Sequence, residues 1–273
     1  MPRALQSLSW VPLQLKACVN GHEIGVATGF VYEHEGRTFL VTNCHVVSGR
    51  HAETQKVLAE CGYCPDSLSI GVPVDSGSRD PSGASLVGWR WHDLALFSDD
   101  DSAKPIWFEH PTLGRRCDIA AIPLAGFEDT KVVSANSAKH GLEKIPIYPG
   151  LEAFVLGYPR GMKGPGNFPI WKRATIATEP AFDLDGLPKF YIDTATRDGM
   201  SGSPVYAQEV GYWMPEGETD PRKALIGKGQ RFVGVYSGRI GADDQFKAQL
   251  GIVWRESSLI SVLDSVPREE EES

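Results

Sequence analysis

The chain has no apolar run near the roughly 20 residues needed to cross a bilayer, so no membrane-spanning helix and no membrane partner are expected. Its opening stretch, MPRALQSLSWVPLQLKACV, has neither an unbroken apolar core nor a small-residue cleavage pattern. No secretory leader is read there, and a cytoplasmic location is the expectation. Cysteine is scarce and odd in number: five, at Cys18, Cys44, Cys61, Cys64 and Cys117. That excludes a regular disulfide framework and fits a reducing compartment. Cys61 and Cys64 make a single CxxC, but a structural zinc site needs four ligands and no second pair follows. They read as free thiols in a loop, and no metal or other cofactor is expected. A basic excess is also missing. Net charge is −8, of which the Arg-Glu-Glu-Glu-Glu-Ser tail carries −3, so nothing resembles the footprint of a nucleic-acid binder. Internal repeats and long amphipathic helices are lacking too; the best short helical patterns are residues 51–59 and 256–263.

What the chain does have is many short apolar or alternating runs rich in Val, Ile, Phe, Tyr, Trp and Thr, at residues 11–18, 24–32, 38–42, 69–72, 85–89, 94–97, 118–122, 151–156, 171–177, 190–194, 204–207, 232–236 and 250–253, among others. The 29 glycines and 19 prolines supply the turns between them. Many short strands broken by Gly/Pro turns predict an all-β sandwich or barrel rather than an α/β sheet. With 273 residues there is room for two such units and a sizeable core. The segment EHPTLGRR (109–116) is the likeliest seam, dividing residues 1–110 from 111–266, with 267–273 as a disordered acidic tail. Residues 76–83 and 214–229 read as loop insertions.

Three short stretches could carry chemistry. In GRTFLVTNCHVV, His45 stands just past a buried strand, where it would be both oriented and accessible. In RWHDLALF, Asp93 precedes an apolar strand, and an acid there must be paired or hydrogen-bonded because a buried unpaired carboxylate is too costly. The adjacent acids at 99–101 repel one another and belong in solvent. In TRDGMSGSPVY, Ser201 lies between Gly199 and Gly202. A serine hydroxyl becomes a nucleophile only with a base in reach and with donors for the oxyanion it creates. Backbone N–H groups serve if they converge, which a glycine permits. Singly, each has a bland reading: a structural histidine, a strand-capping acid, a glycine-rich turn. Together they fall in the order His, Asp, Ser; the Gly-x-Ser-x-Gly elbow of the α/β-hydrolases would need glycine where Ser203 stands.

From about Ile24 to Leu263 the sequence resembles the chymotrypsin/trypsin-like serine proteases, and more narrowly the bacterial-type trypsin-like peptidases without disulfides. The similarity is carried by ATGFVYEHEGRTFLVTNCHVV, HDLALF, DGMSGSPV, FVGVYSG and LGIVWRESSLISVL. It implies two six-stranded Greek-key β-barrels of the chymotrypsin-like kind, with the site between them, and a short C-terminal helix. It implies His45 as general base and acid, Asp93 as its orienting partner and Ser201 as nucleophile. The N–H groups of Gly199 and Ser201 would form the oxyanion hole, and Ser237 would support the aspartate.

The departures are informative. Met200 stands where digestive relatives carry the Asp that pairs with a freed N-terminus, so activation by N-terminal cleavage is not expected. Ala27 and Val46 replace the usual cysteine pair, leaving Cys44 a free thiol. The specificity pocket would be formed by Ala195 at its floor with Gly238 and Arg239 at its wall. An uncharged floor disfavours Lys or Arg; small, apolar or, through Arg239, acidic side chains fit better. The resemblance therefore implies a serine endopeptidase acting on protein or peptide substrates, with room for a regulatory protein partner. The alternatives are a catalytically silent binding module of the same fold and an esterase using the same triad.

Overall fold

A computed structural model of the protein describes residues 5–52, 54–79, 85–98, 104–127, 129–195, 197–239 and 250–268. The acidic run at 99–101, part of the 76–83 insertion and residues 269–273 of the tail lie outside them.

Twelve strands form two six-membered, all-antiparallel sets. The first contains β1 (Pro12–Val19), β2 (His22–His34), β3 (Arg37–Thr42), β4 (Ser67–Arg79), β5 (Ser85–Ala95) and β6 (Ala120–Pro123), in the order β5-β4-β1-β2-β3-β6. The second contains β7 (Glu152–Gly157), β8 (Ile170–Ile176), β9 (Lys189–Asp193), β10 (Pro204–Trp213), β11 (Leu225–Arg239) and β12 (Leu250–Arg255), closed into a ring. Started from its fifth strand, that ring reads β11-β10-β7-β8-β9-β12. This is the same fifth-fourth-first-second-third-sixth order as the first set.

Period-2 alternation explains how the two sets share a core. Along β2 and β3, Ala27, Val31 and Leu40 point into the first sheet's own core with Leu13, Leu15, Leu68 and Ile70. The alternate residues Phe30, Tyr32, Phe39 and Val41 point the other way, into a cluster with Tyr206, Phe232, Val235 and Trp254 from the second set. Phe30 and Phe39 are essentially inaccessible, so each contributes about 1.5–3 kcal/mol of burial to the joint between the halves. A third cluster fills the ring and includes Val155, Ile192, Val205 and Met200.

The all-β expectation with a C-terminal helix matches what is seen: α2 spans Glu256–Asp264 and buries Leu259, Val262 and Leu263 against the shared cluster. Three details differ. The first set does not close strand to strand as the ring does: among the described residues no ladder joins β5 to β6, and the segment 105–108 stands between them, Pro105 bridging Phe97 just past β5 and Phe108 bridging Ala121 of β6. The first sheet also reaches past a division at 110/111, since β6 belongs to it. The described residues of 51–59 form turns and an Arg50–Val57 bridge rather than a helix; Gln55 sits at φ 57°, and the one-turn bond from its N–H to His51 goes no further.

Candidate active site

β3 ends in a fully buried Thr42, and Asn43 leads into a single helical turn, α1 (Cys44–Ser48), which carries His45. Gly49 closes that turn with φ 65°, its N–H donating to the His45 carbonyl (3.0 Å). β6 runs antiparallel to β3 with Thr42 opposite Ala120. Continuing that register by two residues brings position 118 level with position 44, beside the histidine. The Asn43 side-chain amide fixes the approach by donating to the Asp118 carbonyl (2.6 Å).

The acid beside His45 is therefore Asp118. The imidazole Nδ1 lies 2.6 Å from Asp118 Oδ2, and the His45 backbone N–H donates to Oδ1 (2.9 Å). The Ser237 hydroxyl donates to Oδ2 of Asp118 (2.6 Å), not to the Asp93 expected as its partner. Asp93 is corrected. It sits in β5 opposite Ser69, exposed, on the outer strand of the first sheet. Its following run Leu94–Ala95 is not buried, so the premise of a buried strand start fails there. That premise holds at Asp118, which is buried and followed by four inaccessible residues, Ile119 to Ile122.

The electrostatics follow from this packing. Burial pushes His45 down, but the Asp118 charge and hydrogen bond outweigh it, and its pKa lies above the ordinary histidine value. Burial pushes Asp118 up, but the His45 charge and the bonds from His45 and Ser237 outweigh it, and its pKa lies below the ordinary carboxylate value. Cys44, next to His45 in sequence, is held well above its ordinary pKa by burial and then by the Asp118 charge. It is a free, protonated thiol, its Sγ directed at the Ile119 carbonyl, and not a nucleophile.

Ser201 reaches the same seam from the second half. Its carbonyl accepts the Thr28 N–H (2.9 Å), and the next N–H, of Gly202, donates to the Tyr236 carbonyl (2.9 Å), one residue before Ser237. Gly202 sits at φ 82°, and a Cβ there would collide with the Thr28 carbonyl and the Thr42 hydroxyl, so only glycine lets the loop close on the first sheet. Among the described residues no hydrogen bond closes between Ser201 and His45; such bonds commonly tighten only when substrate binds.

The amides of this loop alternate. Asp198, Gly199, Met200 and Ser201 all have carbonyls with donors: Arg160 N–H (2.6 Å), the Thr28 hydroxyl (2.8 Å), Ser203 N–H (3.0 Å) and Thr28 N–H (2.9 Å). The N–H groups of Met200 and Gly202 are occupied by Arg197 and Tyr236. The N–H groups of Gly199 and Ser201 have no protein partner among the described residues. Because each peptide unit is planar, its pinned carbonyl fixes its N–H in the opposite direction. Gly199 holds φ 87°, and a Cβ there would lie 2.5 Å from the Tyr158 carbonyl and 2.8 Å from Arg160 N. Met200 is fully buried in the ring's core, so this loop is anchored by an apolar side chain.

Strand register sets the residues expected to line a pocket toward the same end of the ring. Ala195 is exposed two residues beyond β9, while Gly238 and Arg239 pair with Ile252 and Gly251 of β12, which also pairs with β9. Cys61 is exposed and Cys64 half-buried, both as free thiols, and no metal-ligand cluster occurs among the described residues. Nor, among those residues, is any helix long and apolar enough to cross a membrane.

A family model described as trypsin-like peptidase domain matches residues 27–211. A search of curated proteins finds no match. Solved structures similar in fold include the M. tuberculosis protease Rv3671c in its active form, 17% identical over 97% of this chain and 84% of that one, with a TM-score of 0.46. Others are a serine endoprotease from Yersinia pestis (11% identical, 94% of this chain, 62% of that one, TM-score 0.48) and a thermostable serine protease from an extremophilic microorganism (10%, 93% and 95%, TM-score 0.47).

Proposed function

Because the chain belongs to the trypsin-like peptidase domain family, we propose that it is a serine endopeptidase working through His45, Asp118 and Ser201, on a chymotrypsin-like pair of Greek-key barrels. His45 Nε2 takes the Ser201 proton as Oγ attacks the peptide carbonyl. Asp118 holds the ring in one tautomer through Nδ1 and stabilises the imidazolium that forms. The oxyanion is received by the N–H groups of Gly199 and Ser201. The proton then passes to the leaving amine, and water, activated by the same histidine, releases the acyl group from Ser201.

The observation that carries this proposal is the Asp118–His45 pair at 2.6 Å, with Ser237 on the same oxygen and the Ser201 loop bonded to the neighbouring Tyr236. An uncharged pocket floor at Ala195 favours small or apolar side chains before the cut; the Arg239 side chain, expected at the pocket wall, lies outside the described residues. A fluorophosphonate probe tests the function: wild type takes it up, and Ser201→Ala and His45→Ala do not. A folded wild type that stays unlabelled and cleaves no peptide overturns it in favour of a binding module. Turnover of simple esters without any peptide cleavage overturns it in favour of an esterase.

A further inference from the structure

The loop of the candidate nucleophile is held chiefly by one residue of the opposite sheet. Thr28 is fully buried, and each of its polar groups has a partner. Its N–H donates to the Ser201 carbonyl (2.9 Å), and its carbonyl accepts the Thr42 hydroxyl (2.9 Å). Its own hydroxyl donates to the Gly199 carbonyl (2.8 Å) and accepts the Tyr158 N–H (3.1 Å). β2 offers these groups because its pairing with β3 begins only at Phe30 opposite Val41, which leaves the edge at Thr28 open to the other half.

We propose that Thr28 is a positioning residue for the oxyanion donors, acting as a hydroxyl relay from the Tyr158 N–H to the Gly199 carbonyl. This rests on the peptidase reading above. The relay ties two segments that face each other across the donor peptide. On one side the turn after β7 presents the Tyr158 N–H to Thr28 and the Arg160 N–H to the Asp198 carbonyl (2.6 Å). On the other side stands Gly199, which has the backbone freedom to let its peptides turn over. The Asp198 carbonyl shares its peptide plane with the Gly199 N–H, so the Arg160 bond to that carbonyl gives the donor one direction, and the Thr28 hydroxyl holds the next peptide through the Gly199 carbonyl. Without the hydroxyl, the Gly199 carbonyl and the Tyr158 N–H become buried groups lacking a partner. The turn that loses its Tyr158 anchor is the one whose Arg160 N–H holds the Asp198 carbonyl; once it loosens, the Asp198–Gly199 peptide is free to rotate and carries the Gly199 N–H away from the oxyanion.

The test compares Thr28→Val, which keeps the β-branched shape without the hydroxyl, with Thr28→Ser, which keeps the hydroxyl. On a peptide ester, Thr28→Val should lower kcat about 30–100-fold, somewhat less than deletion of a whole donor, with KM changed less than about threefold. Thr28→Ser should recover most of that loss. Affinity for a peptide boronate, whose tetrahedral adduct places an oxygen at the donors, should fall in parallel with kcat, while affinity for a product peptide should not. A role in folding alone would lower melting temperature without that parallel. If Thr28→Val fails to fold, Thr28→Ala measured at low temperature replaces it. Unchanged kcat in the hydroxyl-free variant, or an equal loss in Thr28→Ser, overturns the proposal. Amide exchange is read independently of activity. Exchange at Tyr158 and Arg160 should quicken about tenfold or more in Thr28→Val and not in Thr28→Ser; unchanged exchange overturns the relay. A wild type that is inactive but shows this exchange pattern keeps the relay and removes the peptidase.

Discussion

Asp118→Asn against Asp93→Asn is the sharpest available comparison, because the two acids look alike in sequence and differ completely in surroundings. The Asp118 carboxylate accepts three hydrogen bonds, from His45 Nδ1, the His45 backbone and Ser237, with its side chain only 5% exposed. The amide keeps the shape but offers an NH₂ where Nδ1–H needs an acceptor, so the ring is held in the wrong tautomer. For this kind of triad that costs about 10⁴-fold in kcat, or about 5 kcal/mol of transition-state stabilisation. Asp93 is exposed on the outer strand, and its replacement should change stability by no more than about 0.5 kcal/mol and leave turnover near wild type. Peptide-ester hydrolysis, normalised by fluorophosphonate titration of intact sites and with circular dichroism as a folding control, reads both variants. Loss of turnover in Asp93→Asn with activity retained in Asp118→Asn would refute the assignment outright. A loss below about tenfold in folded Asp118→Asn would refute the tautomer role.

The remaining expectations concern pH and packing. On the proposed mechanism His45 must be neutral to act as base, and its pKa is raised, so kcat/KM should climb through a midpoint above 6.5. In Asp118→Asn, with burial acting alone, the midpoint of the residual activity should move down. Asp118 has a lowered folded pKa, so the stability it contributes is present above the ordinary carboxylate value of 3.8 and lost as pH falls through the folded value. Acid unfolding monitored by tryptophan fluorescence should accordingly be shallower in Asp118→Asn. Gly202→Ala should destabilise by about 2–5 kcal/mol, from positive-φ strain together with overpacking against Thr28 and Thr42, read by denaturant titration. Met200→Asp should cost about 3–5 kcal/mol as an uncompensated buried charge, whereas Met200→Leu stays within about 1.5 kcal/mol in the same melt.

The β-rich class, the C-terminal helix and the approach of His45 to a buried strand end were legible because each rests on local pattern. The acid was not. HDLALF and CDIAAI both read as an aspartate before an apolar strand. Only pairing decides between them: β6 lies beside β3 at Thr42–Ala120, whereas β5 lies at the far edge beyond β4 and β1. The stronger local signal lay in the run after Asp118, which goes from Ile119 to Ala125 without a polar side chain, against four residues, Leu94 to Phe97, before Ser98 and the acids. Thr28 was illegible for a different reason. Its partners Gly199 and Ser201 are some 170 residues away, and a threonine in a strand is unremarkable until the opposite half is docked. The looser closure of the first set was illegible because nothing in the short run 106–108 states that it will stand between the fifth strand and the sixth.

The repeated strand order has a consequence for how such a molecule fails. On the proposed mechanism the first sheet contributes His45, Asp118 and Thr28, and the ring contributes Ser201, the Gly199 and Ser201 N–H groups and Ser237. Neither copy of the topology holds a working set, so the chemistry belongs to the joint between them and is gauged by it. A few tenths of an ångström of slippage along that joint would leave every strand intact and still part the proposed triad. Because the joint is also the shared core around Phe30, Phe39 and Phe232, it has no softer mode of opening than dissolution of the whole. Heat inactivation and global melting should therefore trace one curve, and turnover becomes a caliper set across the two halves.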